Sequence, residues 1–299
     1  MIQRICAALA LVLLVGVSHA QRFDDVQIES EKVADGLYML TGAGGNLGVS
    51  IGDDGAFIVD SQFDELGAKI LAKIEELGSE RPRFVVNTHW HGDHTGGNEP
   101  MAAAGATVFA HHNVMKRMRE GLTRAGGNVT APSPDAALPL VTYADGVTFH
   151  VNGQTIRATH YRHAHTDGDT VLWFEGDNVV HIGDIMFNGI YPFLDHESGG
   201  SIQGTLRAVN DVLSRIDGAT RIIPGHGPLA TRSDLITYRD MLQGVYGAIQ
   251  AEVAAGKTLE QAIEADPLAE WNEAWGQAFI RPERMVRLVW ASVTDPHEA

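Results

Sequence analysis

The chain is organised around one stretch, Thr88-His89-Trp90-His91-Gly92-Asp93-His94-Thr95-Gly96-Gly97-Asn98. It contains three histidines and one aspartate in the spacing His-x-His-x-Asp-His. The apolar run at residues 83–87 is typical of a buried strand, and the glycines after the cluster lead toward a helix. The cluster is therefore expected on a loop at the carboxyl end of a strand, where α/β proteins usually carry their chemistry. Imidazole and carboxylate groups are ligands that suit a cation such as zinc.

The first 20 residues have the pattern of a secretory signal peptide. Arg4 supplies positive charge, residues 5–17 are apolar, and Ser18-His19-Ala20 resembles a cleavage site. We expect an exported protein, periplasmic or secreted, with a mature chain of residues 21–299 and no stable membrane insertion; a retained anchor is the alternative. The only cysteine, Cys6, lies within the signal, so the mature chain offers no thiolate as a metal ligand or nucleophile.

The charge balance excludes one class of partner. The chain has 38 acidic and 22 basic residues, with a formal net charge of −16. Such a surface repels phosphate backbones, so nucleic acid is not an expected partner. The acidic residues are spread along the chain, which is typical of a solvated surface rather than an interaction tail.

Strand and helix patterns alternate along the first half of the chain. Apolar runs at residues 56–60 and 107–110 predict strands, and residues 64–77 and 113–121 predict helices. Four short strand patterns follow from residue 147. After them, helices are predicted at residues 201–216, 233–255, 259–264 and 283–292, with one more strand at residues 221–223. We predict an α/β (α+β) layered fold in a single domain, because no linker divides the chain. The glycine- and proline-containing residues 125–140 predict a loop or a flexible lid.

Further polar positions follow predicted strands. Asp60 ends one strand, and it is either a helix-entry residue or a carboxylate that holds a metal-binding histidine. His165 lies in a polar turn, Asp184 follows the strand at residues 179–182, and His226 lies between two glycines after another strand. Each of these signals is weak alone, since histidine and aspartate are common in surface turns.

Together with the first cluster, these positions resemble the metallo-β-lactamase superfamily across nearly the whole mature chain. The resemblance implies a four-layer αβ/βα sandwich with two metals, expected to be Zn²⁺, and a hydroxide between them that attacks an amide or ester carbonyl. Asp93 would also orient that nucleophile, which gives it a catalytic role. The resemblance assigns one metal to His89, His91 and His165, the other to Asp93, His94 and His226, and makes Asp184 the bridge between them.

The substrate is expected to be a small molecule with a carbonyl. Many metallo-β-lactamases have a cysteine where this chain has Asp184, with a substrate-binding lysine nearby, and this chain has neither. It resembles exported hydrolases described as β-lactamase-like, so β-lactam hydrolysis is the most specific hypothesis. A lactone or thioester hydrolase similar to glyoxalase II is one alternative. The others are a persulfide dioxygenase, with one Fe held by residues matching His89, His165 and Asp184, and a non-catalytic periplasmic metal-binding protein.

The loop at residues 186–200 is expected to form one wall of the substrate pocket. Its apolar residues are Met186, Phe187, Tyr191 and Phe193, and at least half of them are expected in the core instead. Asn188 or Tyr191 could donate to a developing oxyanion. Trp90 is expected to pack beneath the site, and His163 is expected close to it.

Overall fold

The computed structural model of the protein describes residues 23–297, so the predicted signal peptide lies outside the described residues. Within this range the strands are, in chain order, β1 (Glu29–Ala34), β2 (Leu37–Thr41), β3 (Leu47–Ser50), β4 (Ala56–Val59), β5 (Pro82–Val86), β6 (Thr107–His111), β7 (Leu122–Thr123), β8 (Val129–Thr130), β9 (Val141–Tyr143), β10 (Gly146–Val151), β11 (Gln154–His160), β12 (Thr170–Phe174), β13 (Val179–Phe187), β14 (Arg221–His226) and β15 (Ala230–Thr231).

The α-helices of the same range are α1 (Gly67–Glu76), α2 (Gly92–Thr95), α3 (Asn98–Ala103), α4 (His112–Glu120), α5 (Ile202–Arg215), α6 (Arg232–Ala254), α7 (Leu259–Glu264), α8 (Ala269–Trp275) and α9 (Pro282–Thr294). The helices predicted at residues 64–77 and 113–121 are confirmed as α1, with a preceding 3-10 turn, and α4. The sequence pattern did not predict α8. None of the helices between residues 23 and 297 is both long and apolar enough to cross a bilayer.

Two sheets make up the centre of the fold. One has the strand order β1-β2-β3-β4-β5-β6-β9, and the other has the order β10-β11-β12-β13-β14-β15. The first sheet is antiparallel up to β4 and parallel from β4 to β9. In the second sheet only β13 and β14 pair in parallel. Each sheet therefore places carboxyl ends of parallel strands side by side, where polar loops can meet.

Aromatic side chains fill the space between the two sheets. Phe57 of β4 packs edge-on against Phe149 of β10 and Phe174 of β12, with ring centroids 5.0 and 6.3 Å apart. Phe57 and Phe174 are fully buried. This apolar layer fixes the two sheets against each other, since large rings interlock and exclude water.

Helices cover the outer face of each sheet. On the first sheet, Ile70 and Ile74 of α1 pack with Ile58 and Val85 of the strands. On the second sheet, α5, α6 and α9 share one apolar cluster with β13. The predicted four-layer αβ/βα sandwich is confirmed.

The structure corrects the prediction for Asp184, which does not follow the end of a strand, because β13 continues to Phe187. Gly183 has a φ of 55°, and the register between β13 and β14 shifts on both sides of it. The strand bends there, so that Asp184 lies within the sheet beside Gly225 of β14. A Cβ on Gly225 would lie 2.0 Å from Asp184 Oδ1, so glycine alone allows this approach. His226 likewise belongs to β14 and is its last residue.

The predicted loop at residues 125–140 contains short regular elements. Strand β8 pairs with β7 as an isolated two-stranded hairpin, and a 3-10 turn spans Asp135–Ala137. Gly126 and Gly127 form the tip between the two strands, where glycine tolerates the turn conformation. We call residues 122–130 the hairpin.

His111 gives the fold a pH dependence that can be tested. It is 2% exposed, it caps α4 by accepting from the backbone N–H of Asn113, and its ring stacks on His160. Burial, together with the His160 and His112 rings, lowers the pKa of His111 to about 3. In the unfolded chain, the pKa of this histidine is near 6.5. The difference between the two states favours the folded protein fully above pH 6.5, and this contribution to the free energy of unfolding is lost as the pH falls toward 3.

We expect His111→Asn to reduce this loss, because asparagine can still cap the helix but does not titrate. Urea unfolding of wild type and variant between pH 6.5 and 4.5 should show a slope smaller by roughly 1 kcal/mol per pH unit in the variant. His150→Asn, at an exposed position of β10, is the matched control. Identical slopes for the His111 variant and wild type would contradict this account.

Candidate metal centre

All seven predicted metal-binding residues come together, although they are spread over 138 positions of the chain from His89 to His226. They come from the loop after β5, from α2, from the turn between β11 and β12, and from β13 and β14. They form two groups, and within each group the candidate ligand atoms lie within 4.8 Å of one another. The first group is His89, His91, His165 and Asp184, and the second is Asp93, His94 and His226.

In the first group, three imidazole nitrogens face one another. His91 Nδ1 lies 3.1 Å from His89 Nε2 and 2.9 Å from His165 Nε2. Asp184 Oδ2 completes the group, at 3.8 Å from His89 Nε2 and 3.5 Å from His165 Nε2. Nitrogens bound at 2.0–2.1 Å to one tetrahedral zinc lie about 3.3 Å from one another, so the spacing of these donor atoms fits a shared cation.

In the second group, His226 Nε2 lies 3.4 Å from His94 Nε2 and 3.3 Å from Asp93 Oδ2. Asp184 also reaches this group, because its Oδ1 lies 3.1 Å from His94 Nε2 and its Oδ2 lies 3.5 Å from His226 Nε2. The Asp184 carboxylate therefore lies within 4 Å of histidine nitrogens from both groups. This position fits the predicted bridging role.

The outer nitrogens of four candidate ligand histidines, His89, His91, His94 and His165, each have their own hydrogen-bond partner. His94 Nδ1 donates to Asp60 Oδ2 at 2.8 Å. Thr88 Oγ1 also donates to Asp60 Oδ2, so it accepts the proton of His89 Nδ1 at 3.0 Å. Each arrangement leaves the inward Nε2 available, and this pairing of an outer hydrogen bond with an inner lone pair is characteristic of histidines that bind metals.

His91 and His165 are held in the same way. His91 Nε2 donates to Asp195 Oδ2 at 2.8 Å, which turns Nδ1 inward. His165 Nδ1 donates to the carbonyl oxygen of Phe193 at 2.7 Å, which turns Nε2 inward. Lone pairs that converge at about 3 Å repel one another unless a cation lies between them.

Asp60 therefore acts as a carboxylate that holds a ligand histidine, which decides between the two interpretations left open by the sequence. It is fully buried and accepts from the backbone N–H and the hydroxyl of Thr88 as well as from His94. Its φ of 63° is uncommon for a residue other than glycine. The three hydrogen bonds stabilise this backbone conformation.

The buried carboxylates and imidazoles of the centre shift one another's pKa values strongly. Burial would raise the pKa of Asp184, but His94, His226 and His89 hold it well below its ordinary value. Burial would lower the pKa of His226, but Asp184 and Asp93 raise it to about 9. Asp184 Oδ1 is buried without a hydrogen-bond partner among the described residues. The seven residues thus fit two divalent cations in donor type, spacing and charge.

Both groups open into one cavity of about 590 Å³. Its wall combines metal-centre residues with aromatic rings, and it is lined by Ala43, Phe63, His91, Gly92, Asp93, Arg124, Asp184, Phe187, Phe193, His226 and Phe279. A cavity of this size and mixed lining suits a small organic molecule.

The structure separates the predicted wall residues into two pairs. Phe187 and Phe193 line the cavity, whereas Met186 and Tyr191 are fully buried in the core. The Tyr191 hydroxyl donates to Asn272 and the Asn188 amide donates to the Pro228 carbonyl. Neither residue is among those that line the cavity, so the geometry does not support an oxyanion role for them.

Neither Trp90 nor His163 lines the cavity. Trp90 is 4% exposed and packs with Val114 and Met118 of α4, as its predicted place beneath the site requires. The Nδ1 of His163 donates to the carbonyl oxygen of Gly199. These contacts make both residues supports for the surrounding loops.

Sequence reasoning missed several residues that the structure places at the site. Among them, Arg124 and Phe279 line the cavity from the hairpin and from the segment between α8 and α9, Asp195 orients His91, and Gly45 lies against the His94 ring. A Cβ on Gly45 would lie 2.1 Å from that ring. Of these residues, only Gly45 lies in a recognisable sequence feature, the glycine-rich run Gly42-Ala43-Gly44-Gly45.

The fold and the two residue groups define a class of metal-binding αβ/βα proteins. Residues 41–226 match the model of the metallo-beta-lactamase superfamily. All seven metal-centre residues fall within the matched segment, which covers more than half of the chain. The protein belongs to the metallo-beta-lactamase superfamily.

Individual relatives share only part of the chain. It is 36% identical over 104 residues to a hydroxyacylglutathione hydrolase of Methylococcus capsulatus, which is 34% of this chain and 33% of that protein. The chain thus spans about a third of that relative. It is 20% identical over 182 residues to the metallo-beta-lactamase type 2 of Bacteroides fragilis, or 60% of this chain and 67% of that protein. The structure of DIM-1 metallo-beta-lactamase superposes with a TM-score of 0.60 at 22% identity, covering 73% of this chain and 99% of that one.

We expect Asp60→Asn to weaken metal binding while the fold is retained. Asparagine tolerates the positive φ and can still accept from the Thr88 backbone, but it removes the charge that orients His94. Zinc affinity, measured by competition with a chromophoric chelator, should fall by about 10–100-fold at one of two sites. Asp266→Asn, the same change at an exposed residue with a φ of 45°, should bind zinc like wild type. Equal affinities for wild type and the Asp60 variant would contradict the role given to Asp60.

Proposed function

We propose that the protein is a zinc-dependent hydrolase that cleaves a carbonyl bond of a small molecule with water. The observation that carries this proposal is the position of Asp184 between two groups of converging donor atoms at the wall of an open cavity. Two zinc ions held there would polarise a carbonyl oxygen and make water nucleophilic near neutral pH.

The residues around the cavity favour water as the nucleophile. The lining contains no serine, threonine or cysteine among the described residues, so covalent catalysis by a hydroxyl or thiol has no candidate there. Asp93 lines the cavity, and His94 and His226 hold its pKa below the ordinary range against the effect of burial. An ionised carboxylate in this place accepts a hydrogen bond from an attacking water and orients it, which is the catalytic role we assign to Asp93.

Within this class we propose a β-lactam amide as the specific substrate. The relative named metallo-beta-lactamase type 2 supports the choice, as does one cation beside the Phe193 ring that lines the cavity. Arg284 of α9 is exposed, lies 5.2 Å from the centroid of the Phe193 ring and forms no ion pair within residues 23–297. The Phe193 ring is in turn 5.7 Å from the His91 ring. A carboxylate on the substrate could pair with Arg284 while the amide carbonyl reaches the metal centre.

A lactone or thioester is the second candidate substrate class. The aspartate at position 184, in place of a cysteine, and the relative named hydroxyacylglutathione hydrolase favour it. A persulfide dioxygenase needs only His89, His165 and Asp184 for one iron, so the intact second group makes that assignment unnecessary. The open cavity beside both groups favours catalysis over metal binding alone.

Chelation and substitution test the proposal together. The zinc-loaded protein should hydrolyse nitrocefin, a neutral lactone or a thioester, lose this activity with a chelator and regain it with zinc. Asp184→Ala should lower kcat/KM at least about 100-fold, because both groups lose a ligand. Asp240→Ala, at an exposed residue of α6, is the control. Turnover that survives chelation, or oxygen consumption with a persulfide by an iron-loaded protein, would contradict the hydrolase.

Arg284→Ala tests the β-lactam proposal separately. We expect KM for nitrocefin, which carries a carboxylate, to rise about fivefold, since an exposed ion pair contributes at most about 1 kcal/mol. KM for a neutral lactone should stay unchanged. Arg287→Ala is the matched control, because Arg287 lies one turn further along α9 and already pairs with Glu283. Equal effects of the Arg284 change on both substrates would contradict carboxylate recognition.

A further inference from the structure

The hairpin meets the metal centre through one side chain. Strands β7 and β8 pair only with each other among the described strands, so no sheet fixes the position of the hairpin. Arg124 begins the turn directly after β7, where its backbone N–H donates to the Asn128 carbonyl oxygen and its own carbonyl oxygen accepts from the Gly127 N–H. These bonds close the turn and fix the direction in which the Arg124 side chain leaves it.

The Arg124 side chain binds Asp195 in a two-point contact. Nη1 donates to Oδ1 at 2.7 Å and Nη2 donates to Oδ2 at 2.9 Å. The Asp195 side chain is only 1% exposed. Such bidentate pairs between guanidinium and carboxylate fix the plane of the carboxylate as well as its position, and burial reduces screening by solvent.

The same Asp195 oxygen that accepts from Arg124 Nη2 also accepts from His91 Nε2 at 2.8 Å. The other nitrogen of His91 faces His89 and His165 in the first group. Two successive charge-assisted contacts, Arg124–Asp195 and Asp195–His91, thus connect the hairpin to His91, whose other nitrogen faces the first group. Because Arg124 fixes the carboxylate plane, it also fixes the direction in which that carboxylate holds the imidazole.

Direct recognition of a substrate anion by Arg124 is the competing interpretation, since this residue lines the cavity. Its Nη1 already donates to both Asp195 and Glu197. An anionic ligand would therefore meet one cation flanked by two carboxylates, and the net charge of this trio is unfavourable for it. The contacts favour an action through Asp195 instead.

We propose that Arg124 is a positioning residue that sets the metal affinity of the first group by holding Asp195 against His91. The inference rests on the proposed metal-dependent function and goes beyond it, because it makes the hairpin part of the metal centre. A change at the hairpin should alter metal binding even though no hairpin residue belongs to either group of candidate ligands.

Cobalt(II) binding to the purified, metal-free protein tests the proposal. Wild type should bind two cobalt ions. In Arg124→Met we expect the affinity of one cobalt site to fall by about 10–100-fold, with a changed visible absorption band for that site and an unchanged second step. Arg124→Lys keeps the charge but not the two-point contact, so it should recover part of the affinity. Thermal unfolding checks that both variants are folded.

Glu197→Gln is the matched control for loss of the hairpin's other attachment. Glu197 accepts from Arg124 and from the backbone N–H of Ala125, but it does not touch His91. We expect this variant to keep wild-type cobalt affinities and absorption.

Two results would overturn the inference, and they are distinguishable. Wild-type cobalt affinities and absorption in both Arg124 variants, with a raised KM for an anionic substrate, would make Arg124 a substrate-binding residue and leave the metal-dependent function intact. A wild type that binds no cobalt would overturn the proposed function and this inference together.

Discussion

The structure depends on buried imidazole rings that are each held by a hydrogen bond on their outer nitrogen. Asp60, Thr88, Asp195 and the Phe193 carbonyl oxygen supply these bonds. The inner nitrogens then face one another at separations near 3 Å around Asp184. Without a cation, such a cluster of lone pairs and buried carboxylate is unfavourable, so the fold stabilises a site that needs positive charge.

The two sheets hold the residues of that cluster in place. The interlocked rings around Phe57 fix the sheets against each other, and each sheet contributes one part of the donor set. Local backbone conformations complete the arrangement: Asp60 and Gly183 both have positive φ. The Asp60 conformation is uncommon for a residue other than glycine and is held by its three hydrogen bonds, whereas Gly183 adopts it freely and turns the strand at the bridging carboxylate.

Local patterns in the sequence predicted most of the strands and helices and the first histidine cluster, and the resemblance to the metallo-β-lactamase superfamily assigned the full set of seven residues. The His-x-His-x-Asp-His spacing is compact, so its chemistry can be read without knowledge of the tertiary structure. The continuation of β13 beyond Asp184 could not be predicted, because glycine in a strand pattern also indicates a strand end. The path from Arg124 through Asp195 to His91 joins positions 71 and 104 residues apart, and no local pattern reports such contacts. Phe279 lines the cavity because the segment before α9 brings its ring close to Phe187, the last residue of β13. No local pattern indicates this contact.

Anomalous X-ray scattering from crystals of the purified protein would test the central claim most directly. The account predicts two peaks at the zinc absorption edge, about 3.5–4 Å apart, one beside each group, with the Asp184 carboxylate between them. A single peak that appears at the iron edge and not at the zinc edge, or two metals that both lie beyond reach of Asp184, would contradict it.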